Sequence, residues 1–321
     1  MNAIQTYYPQ KYIMDTKEEL KTLLKFSLLS SYLVNKHYGN VTLYTNDEMS
    51  KIFGEFIPFY SEINTSVLES NSHNFRGNPE YYAVPKLYVF SDMSKPFIHL
   101  DLDTFIFENP IKLKIDRPKF FVGHLDFGFT EEMYLREIQA YELYYKQILD
   151  NVKSNGIWDN SIIDDIAFKR IINANIIGGY DHQTISQGYR KIIDNFEQNK
   201  QFYNQQKFVS LFLEQMMFFP VSKTINPNIE IERICKDGIY FNHSINGDII
   251  TFNTNNGKIS NVSFNLGDVD GIGKFLIEKE FGGIFHYGNY KGHKFYLDII
   301  LNYIKNHPTL GVHYKRIDDE F

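Results

Sequence analysis

The sequence predicts an α/β fold in which a Rossmann-like mixed sheet is flanked by helices. Strand-like and helix-like segments alternate over the first hundred residues, and the last of these strand-like segments carries two aspartates, Asp101 and Asp103. The chain has 321 residues, of which 43% are hydrophobic, so it can bury one large core. Alternation of this kind is typical of a parallel sheet whose ligands bind beyond the carboxyl ends of its strands. We therefore expect a single domain over 1–321, with a nucleotide-binding lobe over 1–110 and a second lobe over 111–321.

Local patterns define the elements of the first lobe. Thr16 and Glu19 form a T-x-x-E capping box at the start of a long amphipathic helix, and Gly39 ends that helix. A later helix is expected to be irregular at Pro85, because proline lacks the N–H group that a helix interior requires. The remaining expected elements are strands over 3–8, 41–45, 63–70 and 97–103 and helices over 46–56 and 80–93.

The second lobe shows strand and helix patterns without a regular alternation. The segment NANIIGGYD is expected to form a strand that enters a double-glycine turn, and Pro220 is expected to stop a helix. Short alternating segments indicate small antiparallel strands. The expected elements are strands over 119–126 and 173–181, helices over 131–152, 207–220 and 292–307, and short strands around 238–243, 248–253 and 259–265.

Charge and cysteine content exclude several classes of function. The formal net charge is −6 and no long block of lysine or arginine occurs, so we expect no nucleic-acid partner. Cys235 is the only cysteine, which rules out an internal disulfide and a cysteine-rich zinc site. No apolar window approaches the roughly 18 residues of a membrane span, and no signal peptide is recognised. We expect a cytoplasmic protein, with peripheral contact at the inner membrane face left open.

The two aspartates are the strongest functional signal. In an extended segment, residues two apart point the same way, so Asp101 and Asp103 are expected to project together while Leu102 turns into the core. Converging carboxylates repel each other unless a cation lies nearby, and Mg²⁺ or Mn²⁺ prefers oxygen ligands and leaves positions for substrate phosphates. Such a metal at the end of a nucleotide-binding sheet is suited to bind a diphosphate. The alternative is a pair of solvated acids, since D-x-D is common by chance.

The segment FIHLDLDTFIFENP, residues 97–110, resembles the D-x-D segment of GT-A glycosyltransferases, particularly bacterial enzymes with a D-x-D sugar-binding region. The resemblance implies a GT-A fold whose second lobe binds the acceptor. It also implies that Mn²⁺ or Mg²⁺ is the cofactor, that Asp103 is its direct ligand, and that Asp101 lies nearer the ribose and the metal-bound waters. Asp101, Leu102 and Asp103 would together contact the nucleotide-sugar donor, for which a UDP-hexose is expected.

Two later segments resemble further parts of the same family. NANIIGGYD is similar to a turn that lies against the donor sugar, where Gly178 and Gly179 would adopt positive φ and let the backbone approach a ligand; the family often has glycine where this chain has Asn175. FHYGNYKGHK is similar to a late His-Gly-Lys segment of retaining enzymes, which implies His286 as a metal ligand and Lys291 as a phosphate ligand. An ordinary turn and a loop histidine are the alternatives.

Other candidate residues follow from the same resemblance. Glu214 lies in the apolar segment FLEQMMF, where family members carry an acidic or amide residue facing the anomeric carbon, and Asp181 is its rival for a catalytic role. A buried acid in such a segment needs a partner or a task. Donor-binding roles are expected for Tyr7, Thr45, Asp47 and Lys86, with helix capping as the alternative for Thr45 and Asp47.

The sequence therefore predicts transfer of a hexose from a nucleotide sugar to a hydroxyl of a glycan, lipid-linked or protein acceptor, with surface glycan synthesis as the common setting of similar chains. Two alternatives stay open. A haloacid-dehalogenase-like phosphatase also carries D-x-D after an apolar strand, although Phe105 stands where that family has threonine or valine. A sugar-binding protein with an inactive site is the second alternative.

Overall fold

The computed structural model describes residues 1–9, 16–107, 120–125, 146–166, 172–230, 232–233, 250–255, 258–264, 284–286 and 294–321. Within these ranges a mixed sheet is covered by helices on both faces, which confirms the predicted α/β class. Residues 131–145 of one predicted helix, the predicted strand around 238–243, and Lys291 lie outside the described residues.

The secondary structure alternates strand and helix over the amino-terminal part of the chain, as predicted. The strands are β1 Asn2–Thr6, β2 Val41–Tyr44, β3 Glu62–Asn64, β4 Phe97–Leu100, β5 Thr104–Ile106, β6 Phe121–Leu125, β7 Ile172–Gly179, β8 Glu232–Arg233, β9 Ile250–Asn255, β10 Lys258–Phe264 and β11 Ile284–His286. The helices are α1 Lys17–Tyr38, α2 Asp47–Phe56, α3 Ser66–Asn71, α4 Val84–Asp92, α5 over 146–154, α6 Asn160–Asp164, α7 His182–Gln198, α8 Lys200–Tyr203, α9 Val209–Leu211, α10 Phe218–Lys223, α11 Lys294–Asn306 and α12 Leu310–Glu320. Two 3₁₀ turns, Ser72–Asn74 and Pro79–Tyr81, precede α4, and a π-helical turn, Phe212–Met216, joins α9 to α10. None of the described helices combines the length and the hydrophobicity that a membrane span needs.

The main sheet has seven strands in the order β3-β2-β1-β4-β7-β6-β8. The first four strands of the chain are parallel, whereas β7 is antiparallel to both of its neighbours. The order 3-2-1-4 is that of doubly wound nucleotide-binding sheets, in which ligands bind where the strand order reverses. In this sheet that point lies at the carboxyl ends of β1 and β4. Two smaller sheets pair β9 with β10 and β5 with β11.

Apolar side chains cover both faces of the sheet because successive residues of a strand point to opposite sides. Phe97 of β4 belongs to the core that includes α4 and α7, whereas Ile98 belongs to the core that includes α1 and α2. The last two helices extend the second core through Ile300 and Ile317. The sheet is therefore the middle layer of three, which places any ligand at its edge.

The long first helix forms as predicted. The Glu19 N–H donates to Thr16 Oγ1 and the Thr16 N–H donates to Glu19 Oε2, each at 3.2 Å, so both halves of the capping box are present. Gly39 follows the last helical residue with a φ of 82°, a conformation that favours glycine. The predicted strands corresponding to β1, β2, β6, β7, β9 and β10 and the predicted helices corresponding to α2 and α11 are also confirmed.

The predicted strand over 63–70 is mostly wrong. β3 ends at Asn64, whose side-chain oxygen accepts the Ser66 N–H at 3.1 Å and turns the chain into α3. Leu68 lies in α3 and its side chain is buried. This apolar residue, which the sequence pattern assigned to a strand, therefore lies on the buried face of a helix.

Both prolines that were expected to disturb helices lie in first turns instead. Pro85 is the second residue of α4, and Pro220 is the third residue of α10. The N–H groups of a first turn have no partner within the helix, so proline is tolerated there. The break in the predicted helix over 207–220 comes earlier, at the π-helical turn.

Candidate functional site

The two aspartates lie in a turn and not in an extended strand. β4 ends at Leu100, where the Asp101 N–H donates to the Asn175 carbonyl of β7 at 2.8 Å. The Thr104 N–H then donates to the Asp101 carbonyl at 3.0 Å and closes the turn before β5. The predicted strand over 97–103 is therefore too long, and the argument from extended geometry does not apply. Leu102 is buried as expected, while Asp101 and Asp103 are partly exposed at the carboxyl end of β4.

A partly buried lysine joins two carboxylates beside this turn. Lys86 of α4 places its Nζ 2.6 Å from Asp101 Oδ1 and 3.2 Å from Glu214 Oε1, which belongs to the π-helical turn. The Glu214 side chain is 3% exposed and the Asp101 side chain is 22% exposed. Three residues that the sequence proposed separately thus form one ion-paired group. We call Lys86, Asp101 and Glu214 the site cluster.

The electrostatics of the site cluster are those of two acids that share one base. Burial lowers the pKa of the Lys86 ammonium, but the charges of Asp101 and Glu214 outweigh this effect and raise it above its usual value. Burial raises the pKa of Glu214, with Lys86 acting in the opposite direction. Asp103 adds a further, partly exposed carboxylate to the same turn at the carboxyl end of β4.

The π-helical turn explains how an acid enters the core at this place. All five of its residues are buried, and it follows α9, which begins after Phe208, whose φ of 60° redirects the chain. π-Helical turns widen a helix locally and are frequent at functional sites. Here the turn carries Glu214 to Lys86. Burial first and the Glu214 charge second raise the pKa of the Tyr189 hydroxyl.

The late histidine segment meets the aspartate turn through strand pairing. β11 is antiparallel to β5, and His286 stands opposite Thr104, the residue after Asp103. Opposed residues in an antiparallel pair have Cα atoms about 4.5–5.5 Å apart. Two segments that are more than 170 residues apart in sequence are therefore neighbours.

Three of the predicted donor residues lie at the neighbouring strand ends. Tyr7 follows β1 and packs edge-on against Phe53 with ring centroids 5.6 Å apart. Thr45 follows β2 and is fully buried, and its hydroxyl has no hydrogen-bond partner among the described residues. Asp47 is the first residue of α2, and the cap of that helix is Asn46, which accepts the N–H of Met49. The predicted capping alternative for Thr45 and Asp47 is therefore wrong.

The glycine pair and Asp181 lie at the opposite end of the sheet. Gly178 pairs with Ile98 and Gly179 pairs with Phe97, so they flank the start of β4, about 10 Å from Asp101 at 3.3 Å per residue. Neither glycine has a positive φ, which contradicts the predicted turn. A Cβ atom at Gly178 would collide with the Phe97 carbonyl oxygen, so the close approach that requires glycine is to a neighbouring strand.

Asp181 has a structural task at that end. It caps α7: its Oδ1 accepts from the Thr184 N–H at 3.2 Å, and its Oδ2 accepts from Thr184 Oγ1 at 2.7 Å and from the Asn226 amide at 3.2 Å. The structure does not bring Asp181 to the site cluster. The residue of NANIIGGYD that does reach the aspartate turn is Asn175, through its backbone carbonyl.

His99 belongs to the surroundings of the site, although the sequence did not single it out. It is fully buried, its Nδ1 is 3.9 Å from Asp101 Oδ1, and its ring packs edge-on against Phe90. Burial first and Lys86 second lower its pKa, so the ring is neutral. The period of two in a strand was the available signal, because it places residues 99 and 101 on one side of β4.

The donor set at the turn fits a hard divalent cation. Mg²⁺ and Mn²⁺ need only one or two carboxylates when substrate phosphates and water supply the other oxygens. Asp103 and, by strand register, His286 are the residues suited to hold such an ion, while Asp101 Oδ1 is already engaged by Lys86. Among the described residues, no group of three histidine, cysteine or acidic side chains is arranged as a complete metal site.

Two shallow cavities lie apart from the site cluster. One of about 270 Å³ is lined by residues of α3, α4 and α7, including Arg190, which donates to the Ser91 carbonyl. Another of about 390 Å³ is lined by residues of α6 and α10, where Lys223 pairs with Asp165. The residues that line these two cavities include no member of the site cluster.

Comparison with known proteins gives a family match and a set of structural likenesses that includes two transferases. Residues 21–259 match DUF6734, a family of unknown function. No curated protein matches the sequence. The apo structure of mouse xyloside xylosyltransferase 1 is similar with 12% identity and a TM-score of 0.38, over 72% of this chain and 84% of that chain. The galactosyltransferase LgtC, in complex with donor and acceptor sugar analogs, is similar with 9% identity and a TM-score of 0.37, over 66% of this chain and 70% of that chain. The assignment of the fold class therefore depends on the strand order of the sheet, and any proposal about function depends on the residues at the aspartate turn.

Proposed function

The chain belongs to the DUF6734 family, and we propose that it is a metal-dependent glycosyltransferase that moves a hexose from a nucleotide sugar, a UDP-hexose, to a hydroxyl acceptor. One observation carries the proposal. The D-x-D turn, the cationic Lys86 and the histidine strand β11 converge at the carboxyl end of β4, where the strand order of the sheet reverses.

The proposed roles follow from the position of each residue. Asp103 and His286 would hold Mn²⁺ or Mg²⁺, and the ion would neutralise the diphosphate and stabilise it as a leaving group. Asp101, with one oxygen held by Lys86, would face the ribose side of the donor. Leu102 fills the core beneath the turn and fixes its backbone. Lys291 follows β11 in the sequence and is proposed to contact a phosphate.

The nucleoside would lie across the ends of β1 and β2. Tyr7 offers an aromatic ring there, and the unpaired buried hydroxyl of Thr45 is a group that a ligand could satisfy. Asp47 is exposed at the start of α2 and would face the same side. Retention of anomeric configuration, a glycan, lipid-linked or protein acceptor, and action in surface glycan synthesis at the inner membrane face remain parts of the proposal.

The test is metal-dependent binding of the donor product. Titration of UDP in the presence of Mn²⁺ should give heat in the calorimeter, and UDP-hexose with Mn²⁺ should be hydrolysed slowly to UDP. Asp103→Asn keeps the size of the side chain but removes a metal-binding charge, so it should abolish Mn²⁺-dependent binding. The matched control is Asp164→Asn, which removes a carboxylate that is 61% exposed and pairs with Lys153.

Two results would contradict the proposal. Unchanged UDP affinity in Asp103→Asn would remove the metal assignment. Absence of nucleotide binding together with Mg²⁺-dependent cleavage of p-nitrophenyl phosphate would favour the phosphatase alternative, and absence of both activities with retained sugar binding would favour an inactive binding protein.

A further inference from the structure

Glu214 has no direct place in the proposed transfer, although it lies in the site cluster. Its side chain is 3% exposed, and its Oε1 is 3.2 Å from Lys86 Nζ. The same ammonium is 2.6 Å from Asp101 Oδ1, and the Asp101 side chain is 22% exposed. The charges therefore run from the core to the surface in the order Glu214, Lys86, Asp101.

This order separates Glu214 from any substrate. A donor that reaches the turn meets Asp101 and Asp103, which are partly exposed, whereas Glu214 lies behind the lysine. An acid that acted as a base or stabilised positive charge on the sugar would need to touch the reacting atoms. Glu214 touches Lys86 instead, so an effect on the reaction has to pass through that contact.

The lysine needs to be fixed if it is to act on Asp101. A lysine side chain is a long flexible stem that ends in a compact charge, and near a diphosphate the ammonium has a competing partner. A second carboxylate in the core holds the ammonium at one place. The π-helical turn, which is buried over Phe212–Met216, makes the carboxylate itself rigid.

We propose that Glu214 is a positioning residue that holds the Lys86 ammonium against Asp101 and thereby fixes the aspartate turn for the metal and the diphosphate. This inference rests on the proposed function and replaces the catalytic role that the sequence predicted for Glu214. It assigns to Lys86 the task of engaging Asp101 Oδ1, while Asp103 keeps its proposed role as the metal ligand.

The experiment is a double-mutant cycle on Mn²⁺-dependent UDP affinity, measured by calorimetry on the full chain. Glu214→Gln keeps the volume and removes the charge, and Lys86→Met removes the ammonium but keeps most of the stem. Each single variant should weaken UDP binding by about 10- to 100-fold, as loss of an outer partner of a metal site does. If Glu214 acts only through Lys86, adding Glu214→Gln to Lys86→Met should weaken binding no further. Lys86→Arg keeps the charge and should retain more affinity than Lys86→Met.

The matched control is Lys25→Met. It removes a different ion-paired lysine, which is buried and contacts Asp318 instead of a residue of the site cluster. It should lower stability and leave UDP affinity unchanged. Glu214→Gln is the mildest change. If Lys86→Met folds poorly, the comparison of UDP affinity with UDP-hexose turnover in Glu214→Gln alone still tests the inference.

Three outcomes would overturn the inference, and they are distinguishable. If the effects of the two variants multiply, Glu214 acts independently of Lys86. If Glu214→Gln lowers the turnover of UDP-hexose while UDP affinity stays that of the wild type, Glu214 is a catalytic residue. If the wild-type chain itself binds no UDP with Mn²⁺, the proposed function fails and the positioning role fails with it.

Discussion

Two lysines of this protein, the partly buried Lys86 and the buried Lys25, are both ion-paired, but their surroundings differ. Lys86 lies between two carboxylates in the site cluster, and both of them are largely buried. Lys25 of α1 places its Nζ 2.5 Å from Asp318 Oδ1 and 4.4 Å from the centroid of the Tyr314 ring. The Asp318 side chain is 41% exposed. We call Lys25, Tyr314 and Asp318 the C-terminal contact.

The exposure of the acids distinguishes a structural pair from a functional one. In the C-terminal contact one cation meets one anion that still faces water, so the pair ties α12 to α1 with little charge buried. In the site cluster one cation serves two anions, the buried Glu214 and the partly exposed Asp101, so the desolvation of Glu214 is opposed only by a charge that it shares. A buried acid in such a group is a candidate for a functional role, which agrees with the positioning role proposed for Glu214.

The largest expected effect compares the two lysines directly. Lys86→Met would leave Asp101 and Glu214 without a cation, and breaking a buried pair in this way costs about 3–5 kcal/mol of stability. Lys25→Met leaves an aspartate that water can solvate, so its cost should be about 1 kcal/mol. Urea denaturation at neutral pH measures both values. Equal losses for the two variants would show that the exposure of the partner does not distinguish the two regions.

Much of the fold was predictable because the signals are local. The capping box of α1, the alternation that gives β1 and β2, and the apolar run before Asp101 each depend on residues close in sequence. The helices α7 and α12 were not predicted. In addition, β3 and α3 were predicted as one strand, because a pattern of a few residues does not show where one element ends and the next begins.

The site was predicted in its residue types but not in its contacts. Lys86, Asp101 and Glu214 were each singled out, yet no pattern placed one lysine between the two acids. The glycines at 178 and 179 were assigned to the ligand because a glycine required by a neighbouring strand looks the same in sequence as one required by a substrate. The pairing of β11 with β5 likewise depends on the register of distant segments.

A second prediction concerns α1, the helix that contacts both regions. Ser30 Oγ donates to the Thr104 carbonyl at 2.8 Å and accepts from Gln5 Nε2 at 2.7 Å, so it ties the end of the aspartate turn to β1. Ser30→Ala would remove both bonds in a buried place, which costs about 1–3 kcal/mol, and it should also weaken Mn²⁺-dependent UDP binding. Urea denaturation and calorimetry measure the two effects.

Ser31 provides the control on the same helix. It is equally buried, but its hydroxyl donates only to carbonyls of its own helix, at 2.6 Å to Ser27 and 3.3 Å to Leu28. Ser31→Ala should therefore be nearly neutral in stability and in UDP affinity. Loss of UDP affinity in Ser31→Ala equal to that in Ser30→Ala would mean that the bond to Thr104 does not position the turn.

The smallest expected effect tests the C-terminal region through pH. His307 Nδ1 accepts the N–H groups of Thr309 and Leu310 at 3.2 and 3.4 Å at the start of α12, and it can do so only when the ring is neutral. Burial first and the Lys36 charge second lower its pKa from the usual value of about 6.5. The unfolded chain then binds the proton more readily than the folded chain, so this contribution is present above about pH 6.5 and is lost as the pH falls through the lowered folded value.

The pH dependence should therefore differ between wild type and His307→Asn when urea midpoints are compared at pH 7.5 and 5.5. An asparagine oxygen can accept the same N–H groups without titrating, so the variant should lose less stability on acidification. His73→Asn, which changes an exposed histidine, should behave like wild type. If His307→Asn and wild type lose stability equally, the cap of α12 does not depend on the charge of this ring.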